Sequence, residues 1–177
     1  NIGANIGSIC IRSIKENHFK YGIFFEPSKI NFRLLMANIH INKLEDKIKA
    51  YPLALSDRKK ILKLVVDTKG NLGRNRIISK KKNLNNLIIE KVKSDKLDNF
   101  VSKLNKNNAL IFMDVQGHES NVFKGAKNTL KKKIPIVFEF SPLLLDNNWV
   151  SNFNLLFKNY KFFYNFREKT TKAKFSK

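Results

Sequence analysis

Ala109-Leu110-Ile111-Phe112-Met113 is a continuous apolar run, followed at once by Asp114-Val115-Gln116-Gly117-His118-Glu119. Five apolar residues without alternation suit a strand buried on both faces, as in a parallel sheet. Downstream, Val122, Phe123, Ala126 and Leu130 recur at helical spacing. Pro135-Ile136-Val137-Phe138 is a second buried-type strand, ending at Glu139. Strand, helix, strand is the unit of an α/β domain. In such a sheet, ligands bind in the crevice at the carboxyl ends of the strands.

The same alternation extends toward both ends of the chain. Ile6, Ile9, Cys10 and Ile14 predict a helix, Tyr21–Phe25 a strand, and Phe32, Leu35, Met36 and Ile39 a second helix. Lys60–Asp67 and Leu87–Val92 read as strands of one β-hairpin excursion over residues 60–92, with turn signals at Gly70-Asn71 and Gly73. Leu97, Phe100, Val101 and Leu104 are helix-spaced. Val150–Phe157 predicts a last helix and Lys161–Tyr164 a closing strand. The fold class expected is α/β, a mostly parallel sheet with helices on both faces. A single domain over 1–166 is followed by a basic, disordered tail over 167–177.

Composition narrows the function. The chain has 177 residues, 42% of them hydrophobic, enough for a real core. Its one cysteine, Cys10, excludes an internal disulfide framework and a multi-thiolate zinc site. No His/Asp/Glu cluster has metal-ligand spacing, so no metal is predicted. No run approaches the length of a membrane span, and no basic-then-apolar leader opens the chain. A cytoplasmic location is the expectation. The formal net charge is +21, which raises nucleic acid or acidic glycan as a partner. Against that, the lysines are spread along the chain and only six arginines are present.

The acidic residues are few, 14 in all, yet three directly follow buried-type runs: Glu26, Asp114 and Glu139. Asp57 follows the weaker run Leu53–Leu55. Each could cap the next helix. Together they favour a ligand that needs acceptors, such as ribose hydroxyls or a cationic group. Gly3 and Gly7 in Asn1-Ile2-Gly3-Ala4-Asn5-Ile6-Gly7 let the backbone turn tightly ahead of a helix. Glu26 then stands at the end of the next strand, where dinucleotide folds place a ribose-binding acid. There is no G-x-G-x-x-G and no P-loop.

Gly3-Ala4-Asn5-Ile6-Gly7, Phe25-Glu26-Pro27-Ser28, Ala54-Leu55-Ser56-Asp57, Asp114 through Glu119 with Gly125-Ala126, then Pro135 and Glu139, resemble an FkbM-type methyltransferase from Asn1 to about Glu139. The resemblance implies a class I Rossmann-like fold and S-adenosylmethionine as cofactor. It implies O-methylation, with a small-molecule or glycan hydroxyl as acceptor. Gly3, Asn5 and Gly7 would surround the methionine part of the cofactor, and Glu26 its ribose hydroxyls. Ser56 and Asp57 would lie near the adenine, and Asp114 beside the amino end and the reacting centre. The family has a complete apolar first strand where this sequence opens, so the chain is expected to begin inside a longer protein. For a hydroxyl acceptor a general base helps. His118 is one candidate, its other reading being a residue that holds its loop. Glu139, as base or substrate-positioning group, is the second. The competing function is a catalytically inactive basic protein that binds nucleic acid or acidic glycan.

Overall fold

Phe24 and Phe25 are neighbours in sequence and are buried on opposite faces of the same strand. Successive side chains of a strand alternate, so two adjacent buried aromatics require cover on both sides. The computed structural model, which describes residues 1–67, 73, 75–78, 88–141, 149–165 and 173–174, supplies that cover. Phe24 of β1 (Gly22–Phe25) joins Ile11 and Ile14 of helix α1 (Ser8–Lys15) and Leu35 and Ile39 of helix α2 (Lys29–Ile41). Phe25 joins the opposite cluster, with Val122 and Phe123 of α3 (Glu119–Lys124), Leu130 of α4 (Lys127–Lys131) and Phe153 of α5 (Trp149–Asn159). Each such side chain contributes roughly 1.5–3 kcal/mol by leaving water.

The parallel sheet has two halves. β1 pairs with β2 (Ile48–Tyr51), and β7 (Ile111–Met113) pairs with β8 (Ile136–Phe138), all parallel. Ile2 lies between the halves and bridges Phe25 on one side and Met113 on the other. Its amide donates to the Phe112 carbonyl at 2.8 Å, and its carbonyl accepts from Asp114 N at 3.0 Å. Gly3 N donates to Phe25 O, and Phe25 N to Asn1 O, both at 3.0 Å.

A second sheet runs in the order β3 (Ala54–Leu55), β6 (Ile88–Asp95), β4 (Lys60–Val66), β5 (Arg76–Ile78). β3 is parallel to β6, whereas β4 is antiparallel to both β6 and β5. Its buried side chains are Ala54, Leu64, Val66 and Val92. Glu90 of β6 reaches across to accept from the first amide of α2, Lys29 N, at 3.1 Å. Phe162–Phe163 (β9) pair antiparallel with Ala173–Lys174 (β10).

The fold is mixed α/β, and the expectation of a mostly parallel sheet holds for the first sheet only. The excursion over 60–92 is larger than a hairpin, because β3 and β5 join it. β2 went unpredicted, since Ile48-Lys49-Ala50-Tyr51 has no apolar run and is only half-buried. The helix expected over Leu97–Leu104 is reduced to one 3-10 turn, Leu97–Asn99. Just beyond Leu104, Asn side chains bond backbone amides, Asn108 to Asn105 N and Asn105 to Asn107 N, which competes with extending a helix. Phe100 still packs, closing a ring triangle with Phe25 and Tyr51 at 4.8–5.4 Å between centroids. The turn at Gly70-Asn71, the side chain of Trp149 and the tail beyond 165, apart from Ala173–Lys174, lie outside the described residues. Among those described, no helix is long and apolar enough to cross a membrane.

Gly3 has φ +74°, and a Cβ there would lie 1.8 Å from the Asp114 carbonyl oxygen. Gly3→Ala is expected to cost at least about 2 kcal/mol in urea unfolding. An unchanged midpoint would refute the close approach of this loop to β7.

Candidate functional site

The strands β1 and β7 end side by side, and a cleft of ≈ 580 Å³, counting its open mouth, lies beyond them. One wall carries Gly3, Asn5, Glu26 and Asp114. The other comes from the second sheet, with Leu64, Asn75 and Ile77.

The first wall is built by backbone conformation. Gly3, Asn5 and Gly7 all have positive φ, at 74°, 51° and 85°, so the chain coils tightly between Ile2 and α1. That coil turns Asn5 N onto Glu26 Oε2 at 2.7 Å, while Ser28 N donates to Glu26 Oε1 at 2.9 Å. Glu26 is only 4% exposed. Burial pushes its carboxyl up to about 7, against the pull of those two amides. Two buried oxygens nearby, Asn5 Oδ1 and Ser28 Oγ, have no hydrogen-bond partner. Gly7 does not line the cleft; it lies against Ile11 and Leu35 at the start of α1.

At the other end of this wall, Gln116 joins two carboxylates. Its Nε2 donates to Asp114 Oδ1 at 2.7 Å and to Glu139 Oε2 at 3.0 Å. Glu139 is anchored behind β7 by its own amide, which donates to Met113 O. Burial raises the Asp114 carboxyl, the amide of Gln116 opposes that, and the neighbouring Glu139 raises it further. The bridge went unread in the sequence, although Gln116 stands inside the quoted motif at φ +51°.

His118, Ser56 and Asp57 form a separate network that does not line the cleft. His118 Nε2 meets Ser56 Oγ at 3.1 Å, and Ser56 Oγ donates to Asp57 Oδ1 at 3.0 Å. Lys60 Nζ holds the same Asp57 oxygen at 2.6 Å. The hydroxyl has one proton and gives it to Asp57, so the imidazole donates from Nε2. Its Nδ1 then accepts from Asn121 Nδ2 at 3.4 Å. Both ring nitrogens of His118 face protein partners. Burial and then the charge of Lys60 lower its pKa to about 4, so it is neutral near pH 7. Of the residues picked from sequence, Gly3, Asn5, Glu26 and Asp114 share the cleft, and Glu139 is tied to it. Asn75, which sequence reasoning missed, carried no signal beyond its place in a turn-rich stretch.

The family model for the methyltransferase FkbM domain matches residues 1–168. The chain belongs to the FkbM methyltransferase family. A crystal structure of methyltransferase FkbM from Methylobacillus flagellatus KT superposes with a TM-score of 0.55 at 15% identity, over 88% of this chain and 36% of that one. This FkbM-family chain therefore spans about a third of that protein's length, and the likeness is one of fold. No curated protein matches it.

Because the fold keeps His118 neutral, the unfolded chain takes up its proton first, near pH 6.5, and the folded chain only near 4. Stability is therefore lost as pH falls through that window. His118→Ala is expected to lower stability by about 2–3 kcal/mol at pH 7 and to flatten this acid slope. A variant as stable and as acid-sensitive as the wild type would remove His118 from the network.

Proposed function

We propose that the chain is an S-adenosylmethionine-dependent methyltransferase acting on a hydroxyl group of a small molecule or sugar. One observation carries the reading. In a chain with 35 lysines and arginines, none lines the cleft among the described residues, while Glu26, Asp114 and Asn5 do. Such a lining suits a cationic ligand rich in hydroxyl donors. It does not suit the polyanion of the competing reading.

The residues fit the cofactor's chemistry. Asn5 Oδ1 and Ser28 Oγ are buried oxygens that lack a partner, and Glu26 keeps lone pairs beyond its two amide bonds. Glu26 and Asn5 would hold the ribose hydroxyls, and Asp114 the ammonium end. The close approach of Gly3 to the Asp114 carbonyl leaves backbone, not side chain, beside the methionine part. When bound, the cofactor supplies a methyl group on a sulfonium, whose loss leaves a neutral thioether.

The chain's own work is positioning and proton transfer. Asp114 and Glu139, held together by Gln116, stand at the cleft and can accept the acceptor's hydroxyl proton as its oxygen gains carbon. Burial, and after it the neighbouring Glu139, raise the Asp114 carboxyl, which strengthens it as a base. His118, with both nitrogens engaged, takes no part. Fixed carboxylates suit an in-line displacement that depends largely on positioning.

The test is calorimetry with S-adenosylmethionine. Glu26→Gln is expected to weaken binding at least tenfold. Hydroxyl donors favour the ionised carboxylate, so affinity in the wild type should rise with pH through about 7 as Glu26 loses its proton. Absence of binding, or an affinity that ignores both pH and the Gln variant, would sink the assignment.

A further inference from the structure

The second sheet has a role in the cleft that its sequence did not suggest. Leu64 of β4 and Ile77 of β5 are cross-strand partners that give its wall an apolar surface, and Asn75 stands beside them, two residues ahead of Ile77. The Asn75 side chain is fixed in orientation. Its Oδ1 accepts from Asp67 N at 3.0 Å, and a backbone amide can only be met by an acceptor, so the flipped form is ruled out. The other end of the amide, Nδ2, is therefore a donor. It is buried and has no hydrogen-bond partner. A buried donor without a partner calls for a group that completes it.

The two walls are complementary in kind. The β1 and β7 wall offers acceptors: Glu26, Asn5 Oδ1 and Asp114. The β4 and β5 wall offers two aliphatic side chains and one donor. A ligand that satisfies both presents hydroxyl or cationic donors on one side. On the other it presents a flat, largely apolar group that carries an acceptor. A nucleoside has this division, with donors on the sugar and acceptor nitrogens in an aromatic base. Resting on the cofactor reading above, we infer that Asn75 is a ligand-reading residue, its side-chain amide donating to an acceptor atom on the heterocycle of the bound nucleoside. The second sheet is then a working wall of the site, and Asp67 positions Asn75 through its backbone.

Titration of S-adenosylhomocysteine into the chain tests this. Asn75→Asp keeps an oxygen for Asp67 N and the same shape, but replaces the donor with an acceptor. It is expected to bind at least tenfold more weakly than the wild type while melting as a folded protein. In ¹⁵N-labelled wild type, the Asn75 side-chain amide signals are expected to move on ligand addition and to exchange more slowly with solvent. This second reading decides the matter if the Asp variant fails to fold. Binding within twofold of wild type by Asn75→Asp, or unmoved Asn75 amide signals at saturation, would overturn the inference and leave the cofactor reading standing. Failure of the wild type to bind S-adenosylhomocysteine would overturn both.

Discussion

Three residues at the start of the chain hold the parallel sheet together. Asn1, Ile2 and Gly3 exchange backbone hydrogen bonds with β1 on one side and β7 on the other. β1 and β7 are not paired with each other, so their spacing depends on Ile2, which is buried between them. That spacing sets where Glu26 and Asp114 stand, since each is the residue that follows its strand. It also sets where Asn5 falls, because Gly3 turns away directly over the Asp114 carbonyl. Two acids and an amide oxygen meet in one cleft as a consequence of strand order, and Asn5 N donates to Glu26.

The unsatisfied polar atoms of the described residues are concentrated around this cleft. Asn5 Oδ1 and Asn75 Nδ2 belong to residues that line it, and Ser28 Oγ sits two residues beyond Glu26. Glu26 itself is held in a place that penalises its charge. Cores avoid such arrangements because an unmet buried group is costly. Functional sites tolerate them, because a ligand completes what the fold leaves open. Asn5 Oδ1, an acceptor, and Asn75 Nδ2, a donor, belong to opposite walls, which suits a ligand with two chemically different sides.

Much of the fold was legible in the sequence wherever burial was complete. Tyr21–Phe25, Ala109–Met113 and Pro135–Phe138 are apolar runs without alternation, and each contains an observed strand of the parallel sheet. The acids at their ends could be read for the same reason, since the strand fixes where the chain leaves the core. β2 was not legible, because its exposed lysine and small alanine dilute the apolar signal. The second sheet was read as a hairpin because β3 is two residues long and its partner β6 lies far along the chain. Side-chain networks were beyond reach altogether. Ser56 and His118 are 62 residues apart, and Gln116 and Glu139 are 23 apart. Only the packing of β3 near the loop after β7, and of β8 beside β7, brings them together.

The neutrality of Gln116 has an electrostatic consequence for the whole site. Two carboxylates at adjacent strand ends repel each other, and a lysine or arginine between them would relieve that repulsion by its charge. Such a cation would have cancelled charge in the cleft. An amide instead donates one hydrogen bond to each carboxylate and adds no charge, so the pair is fixed in place while the cleft stays acidic. The surrounding surface, at +21 for the chain, gives that acidity contrast. A cationic ligand, as proposed above, would gain nothing from the surface and would gain at the cleft, where burial weakens screening. In the proposed reading, the acidity that would favour a cationic ligand is preserved by the uncharged side chain between Asp114 and Glu139.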